Sequence, residues 1–592
     1  MKKDKRSISK GNSGRSAAAA LNQSELELAE GQFGLTRLDY IAVPVLAILA
    51  AALAFSYVGT TIEWDDLFYM NVSQHTTKQA WVLNRYGHIY LQKLFFWLSG
   101  DALTGAKLYW SFLFFSTCVL VYWCAKMLAG KRGYVVGVVA VLMFCSHPLF
   151  GYYLGTTFAD TTVMFMVMLG TFVYLAFFVG RSKYRHLVII ILGLIFFWAV
   201  KSKDSGICMG VLFLGLGYEP TGQRSIKRFA KDIGWVAVGM LTGCVLLMML
   251  DMIFLGDGLF SIRPSSIRRL FGYNTGEYIH DQKNRSWYTI LSLGPIFLPF
   301  ILYVLVGWKA PGRGLSRHEV WAWLIPLTIL AFEMVASIRI RCGSTQRHIF
   351  PAIPGICVWG AQFFRFDIRG LVGGRNGPRV PKSLIGGGLV VSAFIVAVLI
   401  TRRVPEFVAG TGWKSMDRFY DSVTLPLAVT VVLMSAGLSR KRGLGTLFVL
   451  SLCFFFVIYF PLRNNFTSMK QRVVAKKSEW RFEPYRVFAD ELRFGEDVKI
   501  LVSKDIHERS WMLGRPGGAN CCMFNVFFNQ KFTYEQFIDG EVEDILKGDY
   551  TYAFLTWRDW KEISEKHDVE HLLKDYIQKS DNKTQIILLK KR

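Results

Sequence analysis

Charge is what this sequence has least of. Charged residues make up 19% of its 592 positions against 52% hydrophobic ones, so no soluble fold has to be found for the first 460 residues. None of the ten cysteines stands at the paired CxxC spacing of a zinc site; Cys118, Cys124, Cys145, Cys244 and Cys453 lie inside apolar runs, and only the vicinal Cys521-Cys522 stands out. No nucleotide-binding glycine signature opens a helix in the carboxy-terminal region, and Gly514-Arg515-Pro516-Gly517-Gly518 follows no clear strand and reads as a loop. Internal duplication is also absent, which argues against a transporter built from repeated halves with broken helices. Acidic residues number 44 against 69 Lys and Arg, a net charge of +25. The cations fall mostly in short loops between apolar runs, so they mark membrane topology and nucleic-acid binding is a poor reading.

What is present is a polytopic membrane protein, α-helical with an α/β carboxy-terminal domain. Residues 1–37 are polar and basic, with too little apolar content to order themselves, and read as a disordered cytoplasmic tail. A cleaved signal peptide is not expected, because the first apolar run starts near Leu38 and is long enough to span. About thirteen spans are expected, near 38–58, 104–129, 133–150, 156–180, 187–200, 205–219, 233–255, 287–308, 320–338, 349–365, 383–401, 423–438 and 443–461. With the amino terminus inside, the basic loops at Lys131-Arg132, Arg181–Arg185, Arg224–Lys231, Lys309–Arg317, Arg365–Lys382 and Arg440–Arg442 all fall inside. From 462 to 592 the composition becomes that of a soluble domain, expected outside. Strands are expected at 498–503, 552–555 and 585–589, with helices near 484–494, 533–546 and 568–579.

Between the first two spans lies the stretch around which the rest is arranged, Thr61 to Asp101, with Glu63-Trp64-Asp65-Asp66, Arg85, His88 and Lys93. Apolar residues at helical intervals predict two amphipathic surface helices within 64–100, one from 64 to 83 and one from 88 to 98. They would hold Asp65 and Asp66 at headgroup depth, where a lipid phosphate is met; a solvated acidic pair in a polar loop is the other reading.

Further ionisable residues gather at the outer ends of other spans. Asp160 stands just inside the fourth, where a carboxylate faces a cavity or a partner. Lys201 reads as an interfacial anchor, and Lys203 as an anchor or an anion ligand. The loop 256–286 carries Arg268 and Arg269 in a cationic cluster suited to a phosphate leaving group or to anionic headgroups. Arg347 and His348 precede a proline-broken span at Phe350-Pro351-Ala352-Ile353-Pro354.

In this order, the features resemble the GT-C glycosyltransferase superfamily, in the branch that holds protein O-mannosyltransferases and lipid A aminoarabinose transferases. The resemblance rests on Asp65-Asp66 in the first outer loop, the surface helices after it, Asp160, the junction Phe197–Gly206 with Lys201 and Lys203, and Arg347–Pro354, and it covers roughly residues 38–366. Asp-Asp stands where the family's usual pair is Asp-Glu. The tryptophan-tryptophan-aspartate signature and the inserted lumenal repeats of some members are missing, which points to a bacterial or archaeal plasma membrane and a cell-envelope role.

The resemblance implies an inverting transfer of a hexosyl or pentosyl group from a polyprenyl-phosphate donor to a hydroxyl of a lipid, glycan or protein, on the outer side. It implies Asp65 as general base, with Asp66 or Asp160 positioning the acceptor. Arg85, Lys203, Arg268, Arg269, Arg347 and His348 are the candidates for the phosphate. A divalent metal ion held by Asp65 and Asp160 is compatible with it. The competing readings are a surface-polysaccharide ligase or polymerase and a lipid-linked glycan transporter.

Overall fold

The computed structural model describes residues 64–76, 85–100, 102–129, 133–147, 158–176, 184–217, 225–263, 317–339, 346–362, 497–503, 537–540, 550–581 and 586–592, with scattered positions between them. The apolar runs form helices, because a backbone among apolar side chains must satisfy its own hydrogen bonds. In chain order these are α1 (Trp64–His75), α2 (Tyr86–Ser99), α3 (Ala102–Ala129), α4 (Gly133–Ser146), α5 (Ala159–Tyr174), α6 (Arg185–Ser202), a 3-10 helix (Asp204–Gly215), α7 (Ile226–Leu255), α8 (Arg317–Arg339), a second long 3-10 turn (Gln346–Ala352) and α9 (Ile353–Ala361). Thr104–Ala129, Arg185–Ser202 and Ile226–Leu255 are each long and apolar enough to cross a membrane. The expected spans at 383–401, 423–438 and 443–461 lie outside the described residues, as do that at 287–308 save Phe300 and most of that at 38–58.

Two expectations for this region are corrected. The run at 205–219 is a 3-10 helix of 12 residues. Gly206 lies so close to α6 that a Cβ there would stand 2.4 Å from the Ala199 carbonyl carbon, so the chain doubles back tightly. At about 2.0 Å rise per residue, twelve residues cover about 24 Å. The first helix of the outer loop stops at His75 and not at 83, because Thr76 takes a left-handed φ of 42°. Its amide bonds to Val72 O at 2.7 Å, and Lys93 Nζ donates to the Ser73 and Gln74 carbonyls at 3.1 and 3.2 Å. Burial pulls the Lys93 ammonium below its ordinary lysine value.

α6 and α7 meet through small residues, as membrane helices do when close backbone approach replaces a hydrophobic drive. Gly239 of α7 has room for no Cβ, which would fall 2.0 Å from Ile190 O, and Gly193 stands in the same relation to Val236 O at 2.3 Å. The buried stripe of α7 is Asp232, Val236, Gly239, Gly243, Leu247 and Asp251, while Leu241, Val245, Met249 and Met252 face outward. At the end of the bundle where α6 and α7 begin, Asp232 pairs with Arg185 and accepts from Gly217 N at 3.0 Å. Trp110, Phe114, Phe144, Phe150 and Phe350 fill the centre, with Phe114 edge-on to Phe150 at 5.0 Å.

The carboxy-terminal region holds a five-stranded sheet in the order β2-β1-β3-β5-β4, with β1 (Ile500–Ser503), β2 (Phe537–Gly540), β3 (Tyr552–Thr556), β4 (Tyr576–Asp581) and β5 (Ile586–Lys591). β1 runs parallel to β2 and β3; β5 is antiparallel to β3 and β4. Helices α10 (Trp557–Lys566) and α11 (Val569–Asp575) lie between β3 and β4. The expected helix at 533–546 contains strand β2, that at 568–579 divides into α11 and the start of β4, and α10 is an addition. Most of the expected helix at 484–494 lies outside the described residues.

Candidate active site

The ends of α5, α6 and α7 opposite the Arg185–Asp232 pair converge under the α1–α2 hairpin, and the ionisable residues gather there. Asp160 is in the first turn of α5, and Lys203 is the extended residue that ends α6. Both are buried, and they form an ion pair with each other. Burying either charge alone would be expensive, so each explains the presence of the other.

α2 is bound to its neighbours by its polar residues. His88, fully buried, has Nδ1 2.7 Å from Thr162 Oγ1, one half-turn beyond Asp160. The Tyr109 hydroxyl of α3 lies 2.6 Å from the same Thr162 oxygen and 3.3 Å from His88 Nδ1. Trp198 Nε1 donates to Gly87 O at 3.0 Å, and a Cβ on Gly87 would stand 2.9 Å from the Lys201 carbonyl carbon and from Ser202 Oγ, so only glycine lets α2 sit this close to α6. Tyr90 donates to Asp251 Oδ1 at 2.6 Å. Burial, and then the hydrogen bond to Asp251, hold the Tyr90 phenol above its ordinary value, so it stays a donor. Asp251 also accepts from Ser261 N and Oγ at 2.8 and 2.9 Å, and Lys201 Nζ donates to Ser261 O at 2.6 Å.

This geometry corrects one reading. Lys201 is buried against Ser261 and does not reach an interface as an anchor. α2 turns His88, Tyr90 and Gln92 toward the bundle, while Leu94 and Leu98 are exposed and Trp97 is 78% exposed. The Phe95 ring lies tilted against that of Phe112 of α3, centroids 5.4 Å apart, which joins this outer face to that of a spanning helix.

The remaining expected residues are placed to different extents. Asp65 and Asp66 occupy the first turn of α1, with Asp65 four residues before Tyr69. Arg85 immediately precedes α2; its Nη1 donates to Tyr69 OH at 2.8 Å and its guanidinium lies over the Tyr69 ring at 5.8 Å. Arg347 and His348 belong to the 3-10 turn Gln346–Ala352, which packs on α5 and α8. Arg268 and Arg269 lie outside the described residues. Among the described residues no three His, Cys, Asp or Glu side chains converge as metal ligands would, and the Asp160 carboxylate is engaged by an ammonium.

Sequence reasoning missed Asp251, Tyr90, Tyr109 and Thr162. An aspartate inside the apolar run Ile226–Leu255 is the one signal that could have been read, since an ionisable residue there needs a partner.

No protein-family model matches the chain, and no curated protein matches it. Among solved structures it is similar to ArnT from Cupriavidus metallidurans bound to undecaprenyl phosphate, with 14% identity over 92% of this chain and 97% of that one and a TM-score of 0.50. The apo state of the same protein gives 13% identity, the same coverage and a TM-score of 0.49. The apo oligosaccharyltransferase of Archaeoglobus fulgidus gives 11% identity over 90% of this chain and 73% of that one, with a TM-score of 0.40. The first of these carries the likeness, and it is one of fold.

Proposed function

We propose that this protein is a membrane glycosyltransferase that moves a sugar from a polyprenyl-phosphate donor to an acceptor hydroxyl, with inversion at the anomeric carbon. The observation that carries the reading is the buried Asp160–Lys203 pair at the mouth of the bundle, beneath a hairpin whose first turn holds Asp65 and Asp66, in a fold shared with a protein solved with undecaprenyl phosphate. In this reading Asp65 takes the proton of the acceptor hydroxyl as its oxygen bonds the anomeric carbon, and the bond from that carbon to the phosphate oxygen breaks on the opposite face. The phosphate departs on the polyprenol with the bonding electron pair. Arg85, held by Tyr69 one helical turn past Asp65, and Lys203 stabilise that charge, with Arg268, Arg269, Arg347 and His348 as further donors. Asp66 and Asp160 orient the acceptor. No step is assigned to a metal. The site faces the extracytoplasmic side, and the carboxy-terminal α/β domain lies on that side as well.

The test is transfer of radiolabelled sugar from a panel of polyprenyl-phosphate donors by the purified protein in lipid. Asp65→Asn is expected to lower the rate by about 10²–10⁴-fold, the range for loss of a general base, while donor binding persists. Equal transfer by wild type and Asp65→Asn removes Asp65 as the base. No transfer by the wild type from any donor removes the glycosyltransferase reading itself.

A further inference from the structure

The two acidic positions of the proposed mechanism, Asp65 on α1 and Asp160 on α5, belong to different elements, and one side chain joins those elements. The His88 ring meets the Tyr69 ring edge-on at 5.1 Å, and Tyr69 lies one turn along α1 from Asp65. Its Nδ1 meets Thr162 Oγ1 at 2.7 Å, and Thr162 lies two residues along α5 from Asp160. On the α1 side Arg85 holds the Tyr69 hydroxyl at 2.8 Å, and on the α5 side Tyr109 holds Thr162 at 2.6 Å. A continuous chain therefore runs Arg85–Tyr69–His88–Thr162–Tyr109, across α1, α2, α5 and α3, with a fully buried imidazole at its middle.

We propose that His88 is a positioning residue for the transfer reaction, setting the separation between the acidic first turn of α1 and the Asp160–Lys203 pair. The inference rests on the glycosyltransferase reading above. Imidazole suits the place because it offers two things at once: a flat ring for the edge of Tyr69 and a ring nitrogen for the Thr162 hydroxyl. The fold does not depend on both. If the imidazole nitrogen is removed, Thr162 and Tyr109 still have each other at 2.6 Å, so neither hydroxyl is left buried without a partner. The loss therefore falls on the alignment of the two acidic turns. Alignment is where small displacements are felt most, since a shift of about 1 Å in a catalytic group lowers a rate by about 10²-fold.

The experiment compares wild type, His88→Phe and His88→Asn in the transfer assay, with kcat, the donor KM and the thermal unfolding midpoint measured for each. Phenylalanine keeps the ring and loses the nitrogen; asparagine keeps a hydrogen-bonding atom near the place of Nδ1 and loses the ring. His88→Phe is expected to lower kcat by about 10–100-fold, with donor KM and unfolding midpoint close to wild type, and His88→Asn to restore part of kcat. A wild-type kcat in His88→Phe overturns the inference, as does a loss that follows the unfolding midpoint equally in both variants. If Asp65→Asn abolishes transfer while His88→Phe does not change it, only the positioning role fails. A wild type that moves no sugar overturns both readings.

Discussion

Lys203 and Asp160 show how one residue's chemistry depends on another 43 positions away. Lys203→Met leaves a buried carboxylate without its cation and is expected to cost about 3–5 kcal/mol. The double variant Lys203→Met with Asp160→Leu removes both charges and is expected to return the unfolding midpoint to near wild type, with transfer still absent. Thermal unfolding in detergent beside the transfer assay checks both, and a double variant no more stable than Lys203→Met would mean that the pair is not what the two charges are for. Each of these residues was visible in the sequence as an ionisable group at the end of an apolar run. Their pairing was not, because it depends on how α5 and α6 pack. His88 was less visible still: a histidine in an apolar helix has no signature that separates a joint between elements from a filler of the core.

Helices α6 and α7 carry their own test in two glycines of α7. Gly239→Ala forces a methyl group against the Ile190 carbonyl and is expected to destabilise by about 1–3 kcal/mol. Gly234→Ala on the same helix meets nothing within 4 Å and is expected to stabilise by about 0.5–1 kcal/mol through the helix backbone alone. Opposite shifts of the unfolding midpoint are the result to look for; equal shifts would mean that the helices do not cross at Gly239. In the carboxy-terminal domain Thr556 and Asp559 cap α10 reciprocally, so Thr556→Ala is expected to cost about 1 kcal/mol, read as faster hydrogen exchange through Trp557–Lys566. Unchanged exchange there would remove the cap as a support. The elements that sequence reasoning found and missed divide on physical grounds. The central strands β1, β3 and β5 are buried on both faces and read as apolar runs, whereas β2 and β4, which it took for helix, are the two edges of the sheet. The described spans were legible because their apolar length is what the bilayer demands. The 3-10 form of Asp204–Gly215 was not, since it arises from close approach to α6.

For the molecule as a whole, α7 sets the frame. Its 30 residues extend about 45 Å, more than the thickness of a bilayer core of about 30 Å, so its two ends belong to opposite sides. A cysteine placed at Leu259 is expected to react with an impermeant maleimide on intact cells, and one at Lys227 only after permeabilisation, with the wild type as background. Labelling of both from one side would refute the orientation read from the basic loops. Most of the architecture could be read from length, apolarity and charge, because those are the terms in which a bilayer selects a chain; the arrangement at the mouth could not, because it is made of contacts between distant segments.

The polar, bundle-facing side of α2 bears on how the protein is made. Tyr90 finds its acceptor in Asp251, 161 residues further along the chain, and His88 finds Thr162, 74 residues further along. During synthesis the hairpin emerges first, with its hydrogen-bonding side unanswered, and a nascent chain interrupted before residue 251 holds no partner for Tyr90 from α7. The mouth of the bundle is therefore begun early and completed late. Any slowing of the later segments prolongs the interval in which an unfinished mouth is exposed to membrane chaperones and proteases.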